Sequence, residues 1–326
     1  MNDKVFKKIL RCSYSKLPDE LSIDVIKILL KNKEYTKFAP LIAKKYNLKG
    51  ESLGHLASII QLAEKLKTDA ITDISLELES KNLEVVLLKS SSLNNDTYEE
   101  KYPRGSSDID ILVKEENLEK ITSVLAKHYE KVKPTSYKPF EEYYESTWRH
   151  KVNKQVFLDV HTAICNPLLF QIDIDEIFIK SKAHPHYKSN SVLKMTDEHM
   201  LVSLAIHMFK DGVFYHHSLL DFAELASRAN KEIVMILAKN WGCKLLLKTT
   251  YEYVEDVFGN VQTLRTKILN KLMINHVYKK GTIRKRIQQI TLTFLMSDRK
   301  KDALCYITQF IKKFMTSKFS LIKQKD

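Results

Sequence analysis

The apolar positions of this 326-residue chain change period twice. Between residues 53 and 78 they recur at spacings of three and four, as in a helix with one buried face, and Ser52 stands where an N-cap belongs. Pro18-Asp19-Glu20 opens another predicted helix over residues 21–30. From Leu83 the pattern shortens. Residues 83–88 form a continuous apolar run of the length of a buried strand, and residues 156–161 alternate strictly. In the latter, Val156, Leu158 and Val160 share one face, with Phe157, Asp159 and His161 on the other. Residues 147–152 precede it, separated by Asn153-Lys154, which predicts an antiparallel hairpin. Residues 117–128 read as an amphipathic helix and residues 134–139, bounded by prolines, as a loop. Helical spacing returns at Thr196, a cap for residues 197–209; Asp211-Gly212 breaks that helix, and residues 218–229 continue as the next.

Three zones follow: residues 1–80 helical, residues 81–190 carrying the strands, and residues 191–326 helical again. The predicted class is α+β, a small mixed sheet flanked by N-terminal helices and a C-terminal helical bundle. A bundle behind such a sheet leaves a cleft.

Composition adds a location and a charge asymmetry. With 44% hydrophobic and 29% charged residues the chain is of ordinary globular composition. Cys12, Cys165, Cys243 and Cys305 lie far apart, without the paired spacing of a metal site, and read as thiols in a reducing compartment. The first ten residues lack the apolar block of a signal peptide, and no apolar run approaches the length of a membrane span. A cytoplasmic location is expected. Residues 261–326 hold sixteen Lys and Arg against three Asp, while residues 1–260 balance at 37 against 37, so the whole excess of +13 lies in the C-terminal fifth. Clusters such as Arg284-Lys285-Arg286 and Arg299-Lys300-Lys301 accompany Leu304, Ile307, Phe310, Ile311 and Phe314 at helical spacing. Three partners suit this tail: the protein's own body, an anionic membrane at up to about 1 kcal/mol per basic residue, or nucleic-acid phosphates.

The candidate chemistry lies in residues 104–113, Arg-Gly-Ser-Ser-Asp-Ile-Asp-Ile-Leu-Val. On a strand, Asp108 and Asp110 project to one face while Ile109 and Ile111 point to the core. Two carboxylates about 4 Å apart at an effective dielectric near 20 repel by roughly 4 kcal/mol. A divalent cation offsets that, since Mg²⁺ takes one or two carboxylates and completes its shell with waters and phosphates. If the predicted hairpin pairs beside this strand, Asp159 joins the pair. Three converging carboxylates suit two metal ions and an in-line displacement at phosphorus. Gly105-Ser106 reads as the turn before the strand.

Lys89, Arg104, the Asp108-Ile109-Asp110-Ile111-Leu112-Val113 strand, His150 and Leu158-Asp159-Val160-His161, in that order, resemble the uncharacterised bacterial nucleotidyltransferases of the polymerase-beta-like superfamily. The likeness continues through residues 201–225, where His207 and Asp221 fall at the family's usual places. It implies a nucleotidyltransferase-type sheet, two Mg²⁺ ions, ATP or another nucleoside triphosphate, and transfer of a nucleoside monophosphate to an acceptor hydroxyl with release of pyrophosphate. Asp108 and Asp110 would hold both ions, and Asp159 would complete the nucleophile-side ion and act on the acceptor proton. Lys89, Ser90 and Ser91 would hold the triphosphate. Arg104 would offer its fork to phosphate or to Asp108, and His161 would orient Asp159 or touch substrate. His207 and Asp221 are expected to bond between helices. The acceptor, whether small molecule, protein or RNA, is not named by any motif.

One departure stands out. The superfamily places Gly at the end of the first strand, where this chain has Ser90 in the run Lys89-Ser90-Ser91-Ser92. A positive φ at Ser90 would cost about 1 kcal/mol or more. An alternative therefore keeps the fold and loses turnover, leaving a nucleotide-binding scaffold brought to a membrane or nucleic acid by the tail. An RNA-directed transferase is a third option, which the basic tail suits.

Overall fold

The computed structural model describes residues 36–46, 52–94, 96–98, 103–132, 144–210, 216–259, 263, 266 and 283–322. The predicted helix at 21–30, the loop at 134–139 and the break at Asp211-Gly212 lie outside them. Among the described residues the α+β expectation is met, with eleven helices and a seven-stranded mixed sheet.

Two N-terminal helices, α1 (Ala39–Tyr46) and α2 (Ser52–Ser80), lead into β1 (Val85–Leu88). The exit from α2 is a paired-hydrogen-bond C-cap. Leu83 N donates to Leu78 O and Asn82 N to Glu79 O, with Asn82 in the left-handed region at φ 52°. Leu78 and Leu83 are both buried at that corner, fixing the angle at which the chain enters the sheet. A single turn, α3 (Lys89–Leu93), follows β1, and β2 (Ile109–Leu112) returns antiparallel to it. Next come α4 (Leu118–His128), β3 (Tyr129–Lys131), and the predicted hairpin as β4 (Glu145–His150) and β5 (Phe157–His161). Then α5 (Ile174–Lys180), β6 (Lys182–Ala183) and β7 (Val192–Lys194) complete the sheet, in the order β3-β4-β5-β2-β1-β7-β6. The helical zone comprises α6 (Asp197–Lys210), α7 (His216–Arg228), α8 (Lys231–Asn240), α9 (Lys244–Gly259), α10 (Ile283–Met296) and α11 (Lys300–Ile322). Thr196 caps α6 as predicted, its hydroxyl accepting from His199 N at 3.3 Å.

Strand parity divides the core in two. Val85 and Leu87 of β1, Ile109 and Ile111 of β2, and Leu158 and Val160 of β5 meet α2 and α4 through Ile71, Ile74, Leu78, Ile121 and Leu125. Val86, Leu88 and Leu112 belong to a second cluster with α6, α7 and α9, including Leu201, Leu220 and Leu247. Each such side chain contributes roughly 1.5–3 kcal/mol on burial. The even-numbered face of β2, which carries Asp110, thus looks toward the helical zone.

Two polar networks hold the turn before β2. Glu64 of α2 accepts from Lys67 Nζ at 2.7 Å, Ser106 N at 2.7 Å and Asn94 Nδ2 at 2.9 Å. Gly105 donates its N–H to Lys37 O at 2.8 Å, and a Cβ there would stand 3.1 Å from Ile60 Cγ2 and 3.3 Å from Lys37 Cα, so the close approach suits glycine. Above the turn, Arg104 and Asp221 of α7 form a buried pair, Arg104 Nε donating at 2.9 Å to both carboxylate oxygens, with Tyr98 Oη donating to Asp221 Oδ1 at 2.6 Å. Breaking a buried pair by removing one partner strands the other charge. Asp221→Ala is expected to lower the unfolding free energy by about 3–5 kcal/mol, read as a reduced urea midpoint; a variant within 1 kcal/mol of the parent, at the ~1 kcal/mol scale of ordinary substitutions, would refute the anchoring role.

Candidate active site

The decisive geometry is the register of β5 on β2. The two strands pair in parallel, with Asp110 opposite Asp159 and Leu112 opposite His161. The hairpin does lie beside the Asp strand, and two acids from segments about fifty residues apart become cross-strand neighbours. One ligand atom each from Asp110, Asp159 and His161 lies within 4.8 Å of the others, a group that could hold a metal ion.

The residues brought together differ in emphasis from the expected set. Asp110 and His161 are buried and Asp159 half-buried. Asp108 precedes β2, accepts from Ser107 Oγ at 3.0 Å, and is not part of the tight group. It remains near enough that Asp110, together with the dominant effect of burial, raises its pKa. Lys89 points its ammonium at Asp110 Oδ1 over 2.8 Å, and His161 Nε2 meets the same oxygen at 2.9 Å. Ser90 is buried and Ser91 half-buried on α3. Arg104 is engaged with Asp221, the residue expected to bond His207, and His207 lines a pocket. The left-handed residue after β1 is Lys89, φ 52°, one position before the expected Ser90.

Burial acts differently on the two cross-strand acids. It pushes Asp110 up, but Lys89 and His161 outweigh it and hold the carboxyl well below the usual carboxylate range. Asp159 is shifted the other way. Burial, reinforced by the charges of Asp110 and Asp108 and opposed by a Thr147 hydrogen bond, raises it to about 6. Asp110 Oδ2 and Asp159 Oδ1 are both buried without a hydrogen-bond partner. Orphaned carboxylate oxygens at this density ask for a cation, so the residues fit a divalent ion.

Other groups on the same face escaped the sequence reading. Glu145 is the register partner of His161, and its Oε2 accepts from Lys210 Nζ at 2.8 Å. A pocket beside them is lined by Lys89, His161, Ser203, His207 and Lys210, with Leu88 and Met200 among its apolar walls. Burial, with Lys89 and Lys210 nearby, drives the His207 pKa well down, so its ring is neutral. Extending the predicted hairpin ladder two residues toward the N-terminus would have found Glu145; Lys210 had only its place three residues after His207 at the end of α6 as a signal.

Residues 51–259, well over half of the chain, match the family model described as an uncharacterised nucleotidyltransferase. The chain belongs to this family. The acids, His161 and Lys89 all lie within the span that defines its nucleotidyltransferase membership. No curated protein matches the chain. Among solved structures, JHP933 from Helicobacter pylori is similar at 13% identity over 82% of this chain and 98% of that one, with a TM-score of 0.33, a likeness too weak to bear on the chemistry. No described helix is long and apolar enough to cross a membrane.

A carboxyl whose folded pKa lies above its unfolded value near 3.8 holds its proton more tightly when folded. Its stabilising contribution is present below about pH 4 and lost as the pH rises through about 6. Asp159→Asn, with chelator present, is therefore expected to gain about 1–3 kcal/mol over the parent between pH 4 and pH 7. Urea unfolding at the two pH values measures it; a pH-independent difference would refute the assignment.

Proposed function

We propose that this protein is a metal-dependent nucleotidyltransferase that moves a nucleoside monophosphate from a nucleoside triphosphate to an acceptor hydroxyl, releasing pyrophosphate. The observation that carries the reading is the β2–β5 register with its two unpartnered carboxylate oxygens. Family membership supports the reaction class.

Asp110 and Asp159 would hold a divalent ion, with Asp108 available to a second, and Mg²⁺ is the ion a triphosphate ordinarily brings with it. Bound ions would stabilise the entering and leaving oxygens of an in-line displacement. The chain's own residues do the rest. Lys89, now on Asp110, is placed to turn toward the triphosphate and meet the charge that develops on pyrophosphate. Ser91 and the amides of α3 offer donors to the phosphates. Asp159, whose pKa lies nearer neutrality than that of Asp110, is the better acceptor for the proton of the incoming hydroxyl. His207, neutral and next to Lys89 and Lys210, adds a donor without adding charge.

Asp110→Asn is expected to abolish transfer and leave the fold intact. The assay supplies each α-³²P-labelled nucleoside triphosphate with a divalent ion and host lysate, and follows both label uptake and pyrophosphate release. Equal activity in the variant would reject the mechanism. Metal-dependent triphosphate binding without pyrophosphate release would favour the scaffold reading, which the missing glycine at the β1 turn supports.

A further inference from the structure

His161 reaches two carboxylates with its two ring nitrogens. Nε2 lies 2.9 Å from Asp110 Oδ1, inside the group with Asp159. Nδ1 is buried without a hydrogen-bond partner and faces Glu145 Oε2 at 3.7 Å. Glu145 is held where it is from two sides: it is directly opposite His161 in the β4–β5 ladder, and Lys210 of α6 donates to its Oε2 at 2.8 Å while lying over the Tyr144 ring. A histidine that binds a metal through one nitrogen commonly donates the other N–H to a carboxylate, which fixes its tautomer and makes the ligating nitrogen more basic. The gap at Nδ1 is about 0.8 Å longer than an ordinary N–H···O bond, a distance that a small rotation of the ring closes.

We propose that Glu145 is a positioning residue that turns His161 Nε2 toward the ion, making the protein-held site an Asp110–Asp159–His161 set that takes a first-row transition cation of the Mn²⁺ class in preference to Mg²⁺. Imidazole nitrogen adds affinity for transition cations that hard, oxygen-seeking Mg²⁺ does not share. The ion carried in with a triphosphate is a separate matter, since phosphate oxygens complete its shell. Lys89 does not compete for the whole carboxylate: it sits on Asp110 Oδ1 and leaves Oδ2 to the ion. This inference rests on the divalent-ion reading of the site and not on the transfer reaction.

The test needs no nucleotide. Mn²⁺ is titrated into the full chain, its affinity is measured by electron paramagnetic resonance, and pulsed measurement looks for ¹⁴N modulation from a coordinated imidazole. The expected result is ¹⁴N modulation in the parent, its loss in His161→Gln, and Mg²⁺ displacing Mn²⁺ only at tenfold or greater excess. Glu145→Ala should weaken Mn²⁺ binding about 10–100-fold and diminish the modulation, while Glu145→Gln, which keeps an acceptor oxygen, restores part of both. Bound Mn²⁺ without ¹⁴N modulation in the parent, or modulation unchanged in His161→Gln, would overturn the proposal and leave nucleotidyl transfer standing. Failure of the parent to bind Mn²⁺ at all would overturn it together with the metal-dependent reading.

Discussion

A carboxylate inside a sheet raises the free energy of the folded state unless positive charge or donors meet it, and Asp110 is such a group. Its neighbours are explained by that demand. Lys89 is thrown inward from the end of β1, and His161 is carried opposite Leu112 by the parallel pairing of β5. Compensation is incomplete by the strand geometry, because Lys89 and His161 both address one oxygen of Asp110 and leave the other, with Asp159 Oδ1, unsatisfied. Structural ion pairs close on themselves; this one leaves two carboxylate oxygens open.

The surroundings keep the opening from collapsing. The turn before β2 is tied to α2 through Glu64 and to α7 through the Arg104–Asp221 pair, so it is gripped by helices from both sides of the sheet. Buried ion pairs contribute little net stability compared with apolar packing, but they penalise misplacement heavily. Here the penalty falls on any shift of α7 relative to the strand that bears the acids.

Much of this was legible in the sequence, for a definite reason. Strands β1, β2, β4 and β5 and helices α2, α4 and α6 announce themselves through period, because each has one or both faces in a core. The pairing of the hairpin with the Asp strand entered only as a condition, because nothing in either strand's own pattern names its neighbour, and the β2–β5 register meets that condition. Strands β3, β6 and β7 run two or three residues, too short for a period, and Lys182-Ala183 is exposed besides. Arg104 and Asp221 stand 117 residues apart with no local pattern joining them. The partnership of Glu145 with Lys210 needs both the ladder register and the approach of α6, neither of which a one-dimensional pattern carries. In the basic C-terminal zone, Ala303, Ile307 and Phe310 of α11 turn inward while Leu304 and Ile311 face out.

Lys89 answers two requirements that conflict. The backbone there adopts the left-handed conformation that glycine and asparagine accept most easily, and the side chain supplies an ammonium that neither can. The backbone preference and the charge demand therefore pull this codon in opposite directions, and the charge demand is the larger. Glycine here would relieve about 1–2 kcal/mol of backbone strain and strand a buried carboxylate at a cost of about 3–5 kcal/mol, so even a laboratory lineage bred only for heat tolerance should keep its lysine.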